Sequence, residues 1–146
     1  MSSLWYKEPA KVWEEALPLG NGRIGAMIFG GVEQERIQVN EESIWYGGPV
    51  DRNNPDAKAH IEEIRHHMSG CPDSIHPYQT LGDFNIYCSG FEDVENYKRS
   101  LNLEEAVCLV EFDSRSVHFK REMFLSYPKD CLVIRFTADK SSQISF

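Results

Sequence analysis

Residues 106–138 read AVCLVEFDSRSVHFKREMFLSYPKDCLVIRFTA, and this stretch decides the fold that the sequence predicts. It contains three runs rich in β-branched and aromatic residues, at 106–113, 117–126 and 131–138. Turn-forming residues, Asp-Ser and then Tyr-Pro-Lys-Asp, separate the runs. Alternate side chains of the middle run point to opposite faces of a strand. Val117, Phe119, Arg121 and Met123 share one face, and His118, Lys120, Glu122 and Phe124 share the other.

Two further runs, at 84–88 and 97–103, have the same strand-like composition. Strands at this spacing are typical of an antiparallel β-sandwich. The predicted fold class is therefore mainly β, an antiparallel sandwich with one inserted helix, and residues 1–146 form one domain. The final residues, 143–146, alternate like the start of another strand, so we expect a fragment whose sandwich is completed by later sequence.

Residues 20–25, GNGRIG, match the G-x-G-x-x-G pattern of dinucleotide-binding loops. That pattern requires a buried strand before it and a helix after it. Here the preceding segment is charged and ends in a proline, and only four apolar residues separate the motif from Gly30-Gly31. We therefore expect turn glycines that lead into a β-hairpin. Its arms are predicted at 25–29 and 36–39, the second with alternating apolar and polar residues.

One helix is predicted at about 55–69. Asn54 is its expected capping residue, Pro55 takes the first helical position, and Gly70 ends the helix. Residues spaced by four, three and four positions give it a single apolar stripe. The stripe consists of Ala57, Ile61, Ile64 and Met68.

The bulk composition narrows the range of partners. Fifteen Lys and Arg residues against 23 Asp and Glu residues give a formal net charge of -8, which argues against nucleic acid or an anionic membrane. No apolar run approaches the roughly 20 residues of a membrane span, and the N-terminus lacks the pattern of a signal peptide. Cys88, Cys108 and Cys131 lie in apolar runs and are predicted to be reduced core thiols, whereas Cys71 is expected to be exposed. These features favour a cytoplasmic location.

The sequence offers few catalytic candidates. Adjacent Glu41 and Glu42 point to opposite faces of a strand, so they cannot flank one glycosidic bond. His60 and His67 lie two helical turns apart with Ile64 between them, which does not suit a metal ion. No G-x-S-x-G nucleophile motif occurs. We therefore predict no catalytic residue, no metal ion and no cofactor for this chain.

Polar and aromatic residues gather on both sides of the predicted hairpin, at 18–23 and 40–49. These segments meet at the open end of the hairpin if it forms. An amide, a guanidinium, a carboxylate and an indole together suit a sugar. Asn and Gly at strand ends are also typical turn residues, and Trp in a sandwich is typically core. The candidate sugar-facing residues are Asn21, Arg23, Asn40, Glu41 and Trp45.

The longest family-like stretch is LWYKEPAKVWEEALPLGNGRIGAMIFGGVEQERIQVNEESIWYGGP at 4–49. It is followed by NPDAKAHIEEIR at 54–65, YQTLGDFNIY at 78–87, YKRSLNLEEAV at 97–107, REMFLSYPKDCLVIRFTADK at 121–140 and ISF at 144–146. In this order they closely resemble the start of the family 95 glycoside hydrolases, whose best-known activity is α-L-fucosidase. The resemblance implies an N-terminal β-sandwich of the supersandwich type that precedes an (α/α)6 barrel, as in the family 65 phosphorylases.

The resemblance places the catalytic groups, a glutamic acid and the Asn and Asp residues that position water, in the barrel. No catalytic role is therefore carried over to this chain. It implies an inverting α-L-fucosidase acting on fucosylated glycans, in which this domain packs on its own C-terminal barrel and helps to shape the substrate entrance. The five candidate residues would then support the active site or the domain interface.

Two alternatives remain open from the sequence. One is a freestanding carbohydrate-binding or protein-interaction module, and the other, an intact small enzyme, lacks an acid–base pair. Family 95 relatives usually have a longer helical segment in the region of residues 68–77, so the chain is expected to be shortened there.

Overall fold

A computed structural model of the chain describes residues 2–48, 51, 53, 55–68 and 78–146. The chain divides into two compact units. The first consists of Met1–Glu42 and Thr80–Phe146, and the second of Ser43–Gln79. Within the described ranges, no helix is long and apolar enough to cross a membrane.

The first unit is an antiparallel β-sandwich. Its strands are β1 (Ser3–Tyr6), β2 (Leu17–Gly20), β3 (Ile24–Ile28), β4 (Gln34–Glu41), β5 (Gly82–Tyr87), β6 (Glu95–Asn102), β7 (Val107–Ser114), β8 (Val117–Ser126) and β9 (Cys131–Ala138). One sheet has the order β1-β6-β7-β8-β9 and the other has the order β2-β3-β4-β5. Every strand pair is antiparallel, which confirms the predicted mainly β fold class.

The apolar core lies between the two sheets. The predicted inner face of β8 is confirmed, because Val117, Phe119, Arg121 and Met123 are all buried. The rings of Phe112 and Phe119 stack at 5.3 Å between centroids. The other fully enclosed apolar side chains come from both sheets and include Leu17, Ile28, Ile37, Leu101, Cys108 and Val110.

The predicted hairpin is also confirmed. β3 pairs with β4, and Ile28 lies opposite Ile37. The glycine motif runs from the end of β2, through a turn in which Gly22 has φ of 92°, into β3. The motif therefore joins two strands, and no helix follows it as a dinucleotide site requires.

The sequence prediction missed β1 and β2 and was wrong about the last four residues. Residues 143–146 form no strand. Instead, Ser142 adopts a left-handed conformation in the preceding turn, and the ring of Phe146 stacks on Phe136 at 5.1 Å. Because the chain turns back onto an inner-face side chain there, it does not extend alongside a neighbouring strand.

One cysteine prediction needs correction, whereas the predicted helix is confirmed and its first turns differ in type. Cys88 and Cys108 are buried as expected, but Cys131 is exposed. Cys131 is the first residue of β9, and the side chains of that strand that face the core alternate from Leu132, so Cys131 lies on the outer face. In the second unit, the helix begins as a 3₁₀ turn over Pro55–His60 and is α-helical only over Ile61–Met68. Such 3₁₀ turns are common at helix ends. The predicted cap Asn54, the stop Gly70, the exposed Cys71 and the segment 69–77 lie outside the described residues.

Candidate functional site

Three chain segments meet at one end of the sandwich. The turn between β2 and β3 carries Asn21 and Arg23, the end of β4 carries Glu41, and the turn between β8 and β9 carries Asp130. These four residues are called the Arg23 cluster below. Because β2, β3 and β4 belong to one sheet and β8 and β9 to the other, the cluster ties the two sheets together.

Arg23 is the centre of this cluster. Its Nε donates to Glu41 Oε1 at 3.0 Å, and its NH1 nitrogen donates to Asp130 Oδ2 at 3.0 Å. The hydrogen bond that Arg23 donates to Glu41, together with the negative charge of Asp130, raises the pKa of the guanidinium. Arg23 is 62% exposed and Glu41 only 17% exposed, so the cluster presents an anchored cation to solvent.

The Asn21 side chain makes hydrogen bonds both within the β2–β3 turn and to the end of β8 and the β8–β9 turn. Its Oδ1 accepts hydrogen bonds from the backbone N–H of Arg23 at 3.0 Å and of Ile24 at 2.7 Å. Its Nδ2 donates to the carbonyl oxygen of Ser126 and to Asp130 Oδ1, both at 3.1 Å. The side chain therefore serves as a turn-forming group and as a link to the β8–β9 turn.

The structure brings four of the five sequence candidates to this end of the first unit. Asn40 precedes Glu41 in β4, and its Oδ1 accepts the backbone N–H of Glu41 at 3.0 Å. Glu41 lies on the same face of β4 as buried Ile37, so its carboxylate sits at the rim of the space between the sheets. Glu42 follows the strand, and its N–H donates to the carbonyl oxygen of Arg23 at 3.0 Å.

Trp45, the fifth candidate, belongs to the second unit. It pairs with Tyr78 through an isolated antiparallel bridge, and the two ring centroids lie 4.9 Å apart. Trp45 is 53% exposed and Tyr78 is 43% exposed. The pair is therefore an exposed aromatic surface, and Tyr78 was not among the predicted candidates.

Sequence reasoning also missed Asp130. It lies in a Tyr-Pro-Lys-Asp turn that was interpreted only as a strand connection. Asp130 has φ of 49°, a left-handed conformation that Asp tolerates in turns. Its contact with Arg23 spans 107 positions of sequence, so no local pattern could have revealed it.

A second charged pair, Glu35 with Arg121, is enclosed in the sandwich. Arg121 donates through NH1 to Glu35 Oε2 at 3.0 Å and to the carbonyl oxygen of Gly31 at 2.5 Å, and through NH2 to the carbonyl oxygen of Val32. Glu35 Oε1 accepts the N–H of Gly30 at 2.7 Å. Burial raises the pKa of Glu35 to about 7, against the opposing charge of Arg121.

The buried pair has a structural role. The side chains of Glu35 and Arg121 are 0% and 3% exposed, so neither can touch a ligand. Their hydrogen bonds fix the backbone of the β3–β4 turn. Within the described ranges, no group of three or more His, Cys, Asp or Glu side chains is arranged to hold a metal ion.

The family model described as "Glycosyl hydrolase family 65, N-terminal domain" matches residues 4–70 and 66–146. The chain belongs to this family. The model names family 65 rather than family 95, so the family 95 assignment stays a prediction.

Individual relatives of this family 65 N-terminal domain carry α-fucosidase names. The chain is 34% identical to Alpha-L-fucosidase 2 of Arabidopsis thaliana over 161 residues, which cover 98% of the chain and 19% of that protein. It is 32% identical to Probable alpha-fucosidase A of Aspergillus niger, with 95% of the chain and 20% of that protein covered. The corresponding protein of Aspergillus oryzae is 25% identical, over 94% of the chain and 22% of its own length.

The family 65 N-terminal domain thus spans about a fifth of the length of these relatives. The Arabidopsis alignment of 161 residues is also longer than the chain, so that relative has additional residues within the aligned region. The Arg23 cluster fixes a guanidinium and two carboxylates at one end of the first unit.

Proposed function

We propose that this chain is the N-terminal, non-catalytic part of an inverting α-L-fucosidase of the family 95 type. The observation that carries the proposal is the alignment of nearly the whole chain with proteins named as α-fucosidases. In this proposal the catalytic acid and the residues that position water belong to a C-terminal barrel. The substrate is a fucosylated glycan.

We assign the Arg23 cluster of the first unit to the substrate entrance, and we assign Trp45 of the second unit separately to contact with the sugar. Arg23 presents a guanidinium that is already oriented by Glu41 and Asp130. Such a fixed donor can bind a sugar hydroxyl or a backbone carbonyl of the barrel with little loss of side-chain freedom. The exposed Trp45–Tyr78 pair offers the apolar ring surface on which sugar rings stack.

The first prediction concerns the activity itself. The complete protein, with this chain and the proposed C-terminal barrel, is called the whole hydrolase below. It is expected to release fucose from 2′-fucosyllactose. The fucose should appear first as its β-anomer, because an inverting enzyme changes the anomeric configuration. Proton NMR during the first minutes measures both quantities. The present chain alone should release none.

Each result has a clear consequence. Fucose release by the present chain would overturn its non-catalytic role, and a first-formed α-anomer would overturn the inverting mechanism. No fucose release by the whole hydrolase would overturn the fucosidase assignment. If the chain alone then binds the glycan in a titration, it is a carbohydrate-binding domain rather than part of a fucosidase.

The second prediction concerns Arg23. Arg23→Met in the whole hydrolase is expected to lower kcat/KM by about 10-fold, because a shift of the residues at the substrate entrance would displace the substrate from the catalytic groups. The free energy of unfolding should change by less than about 1 kcal/mol, since the Arg23 side chain is 62% exposed and its ion pairs are screened by solvent. Steady-state kinetics and urea unfolding measure the two effects.

Arg115→Met is the matched control. Arg115 donates through Nε to Glu92 Oε2 at 3.1 Å and is 53% exposed, but it lies in the turn at the opposite end of β8. The control should leave both kcat/KM and stability unchanged. Equal kinetics for Arg23→Met, Arg115→Met and the wild type would show that the cluster only joins the two sheets.

A further inference from the structure

An open apolar groove of about 610 Å³ lies between the two sheets of the first unit. Ile24, Val39 and Phe84 of one sheet line one wall, and Leu132 and Ile134 of the other sheet line the opposite wall. The polar side chain of Asp83 is the exception among the lining residues. A sugar site needs several fixed polar groups, so this groove does not suit a carbohydrate.

The strand registers show that the groove is lined by core-facing side chains of the two sheets. Phe84 lies opposite Ile37, and Ile134 lies opposite Met123. Directly opposed residues share a face of their sheet. Ile37 and Met123 are completely buried, whereas Phe84 is 53% exposed. Phe84 therefore faces the interior of the sandwich at a place that none of the residues described by the structure covers.

The backbone edge of β9 that the described residues leave unpaired lies beside this groove. Among the described residues, β9 pairs with β8 alone, and Asp139 N–H donates to His118 O at 3.1 Å. Hydrogen-bonded positions alternate along an antiparallel ladder. Leu132 and Ile134 consequently point their backbone N–H and C=O groups away from β8, along the open edge. Their side chains line the groove and their backbones can receive a strand.

We propose that an apolar β-strand from the part of the hydrolase that follows Phe146 pairs with the open edge of β9 and covers Phe84. This inference rests on the proposed function, because it requires the whole hydrolase. Its inward side chains would fill the groove, and its backbone would satisfy the outward groups of Leu132 and Ile134.

Two observations favour this occupant over a second copy of the chain. The chain covers only 19% and 20% of its first two relatives, so most of such a protein remains to supply the strand. The chain also has a net charge of -8, and two copies brought together would repel each other.

Cysteine labelling tests the proposal. Phe84→Cys is compared with Asn85→Cys, the next residue of β5, whose side chain is exposed on the outer face. Both are made in a background with Cys71→Ser and Cys131→Ser, which leaves, among the four cysteines of this chain, the buried thiols of Cys88 and Cys108. In the chain alone, both new thiols should react with a small maleimide at similar rates. In the whole hydrolase, the thiol at position 84 should react at least about 100-fold more slowly, while the thiol at position 85 keeps its rate.

Hydrogen exchange of the unmodified proteins gives a second readout. The Ile134 amide should exchange rapidly in the chain alone and be protected in the whole hydrolase, whatever the variants do to folding. Equal labelling and equal exchange in both proteins would overturn the proposal. Two other results would also overturn it: dimerisation of the chain alone, and slow labelling of position 84 in the monomeric chain. In either case something other than a later strand would cover Phe84. A covered groove in a hydrolase without fucosidase activity would overturn the proposed function and leave this proposal standing.

Discussion

Replacing Arg121 by methionine is expected to lower the free energy of unfolding by about 3 to 5 kcal/mol at pH 8. Methionine keeps the apolar stem but removes the charge that faces Glu35 Oε2 at 3.0 Å. It also removes the donors to the carbonyl oxygens of Gly31 and Val32. A buried carboxylate without its partner is far less favourable than a buried pair, and small domains are only marginally stable.

The effect should depend on pH in a defined direction. The pKa of Glu35 is raised from 4.5 to about 7 in the folded chain, so its contribution to stability is fully present below about pH 4.5 and is lost as the pH rises through about 7. Arg121 lowers that pKa, so its removal raises it further. The destabilisation should therefore be smaller at pH 5, where Glu35 binds a proton, than at pH 8.

Urea unfolding at both pH values measures this prediction, with Arg135→Met as the control. Arg135 pairs with Glu122 on the same sheet but is 66% exposed, so its loss should change stability by less than about 1 kcal/mol. If Arg121→Met does not fold at pH 8, the double variant with Glu35→Gln should fold, since no charge is then buried alone. A single variant as stable as the control at pH 8 would contradict the argument.

The sequence predicted the last two strands well, because their patterns are local. β8 and β9 begin and end at the predicted residues, since alternation and a proline-containing turn mark them. β1 was missed because Leu4, Trp5 and Tyr6 are all exposed and show no alternation. β2 was missed because it contains Pro18, which an edge strand tolerates and a central strand does not.

The candidate site was predicted only in part, for a similar reason. The hairpin pattern correctly brought Arg23 to Glu41, because β3 and β4 are adjacent in sequence. Asp130 reaches the same guanidinium through the packing of the two sheets, which no local pattern encodes. Arg121 was placed correctly on the apolar face of β8, but its partner Glu35 precedes the predicted second hairpin arm and was overlooked.

Gly31→Ala is the other substitution with a large expected effect. A Cβ atom on Gly31 would overlap the carbonyl oxygen of Gln34 and lie 2.9 Å from its carbonyl carbon. Backbone atoms in a tight turn cannot move aside as a flexible side chain can, and this turn is also held by Arg121 through the carbonyl oxygen of Gly31. We expect a loss of about 3 kcal/mol or more in the free energy of unfolding.

Gly25→Ala is the matched control for this prediction. Gly25 lies in β3, and a Cβ atom there would meet nothing within 4 Å. Alanine restricts the unfolded chain, so this variant should be unchanged or more stable by up to about 1 kcal/mol. Urea unfolding of both variants measures the difference between their free energies of unfolding. Equal stability would show that the β3–β4 turn can shift its backbone, whereas a large difference shows that this hairpin requires glycine at the turn and tolerates alanine at the third glycine of the motif.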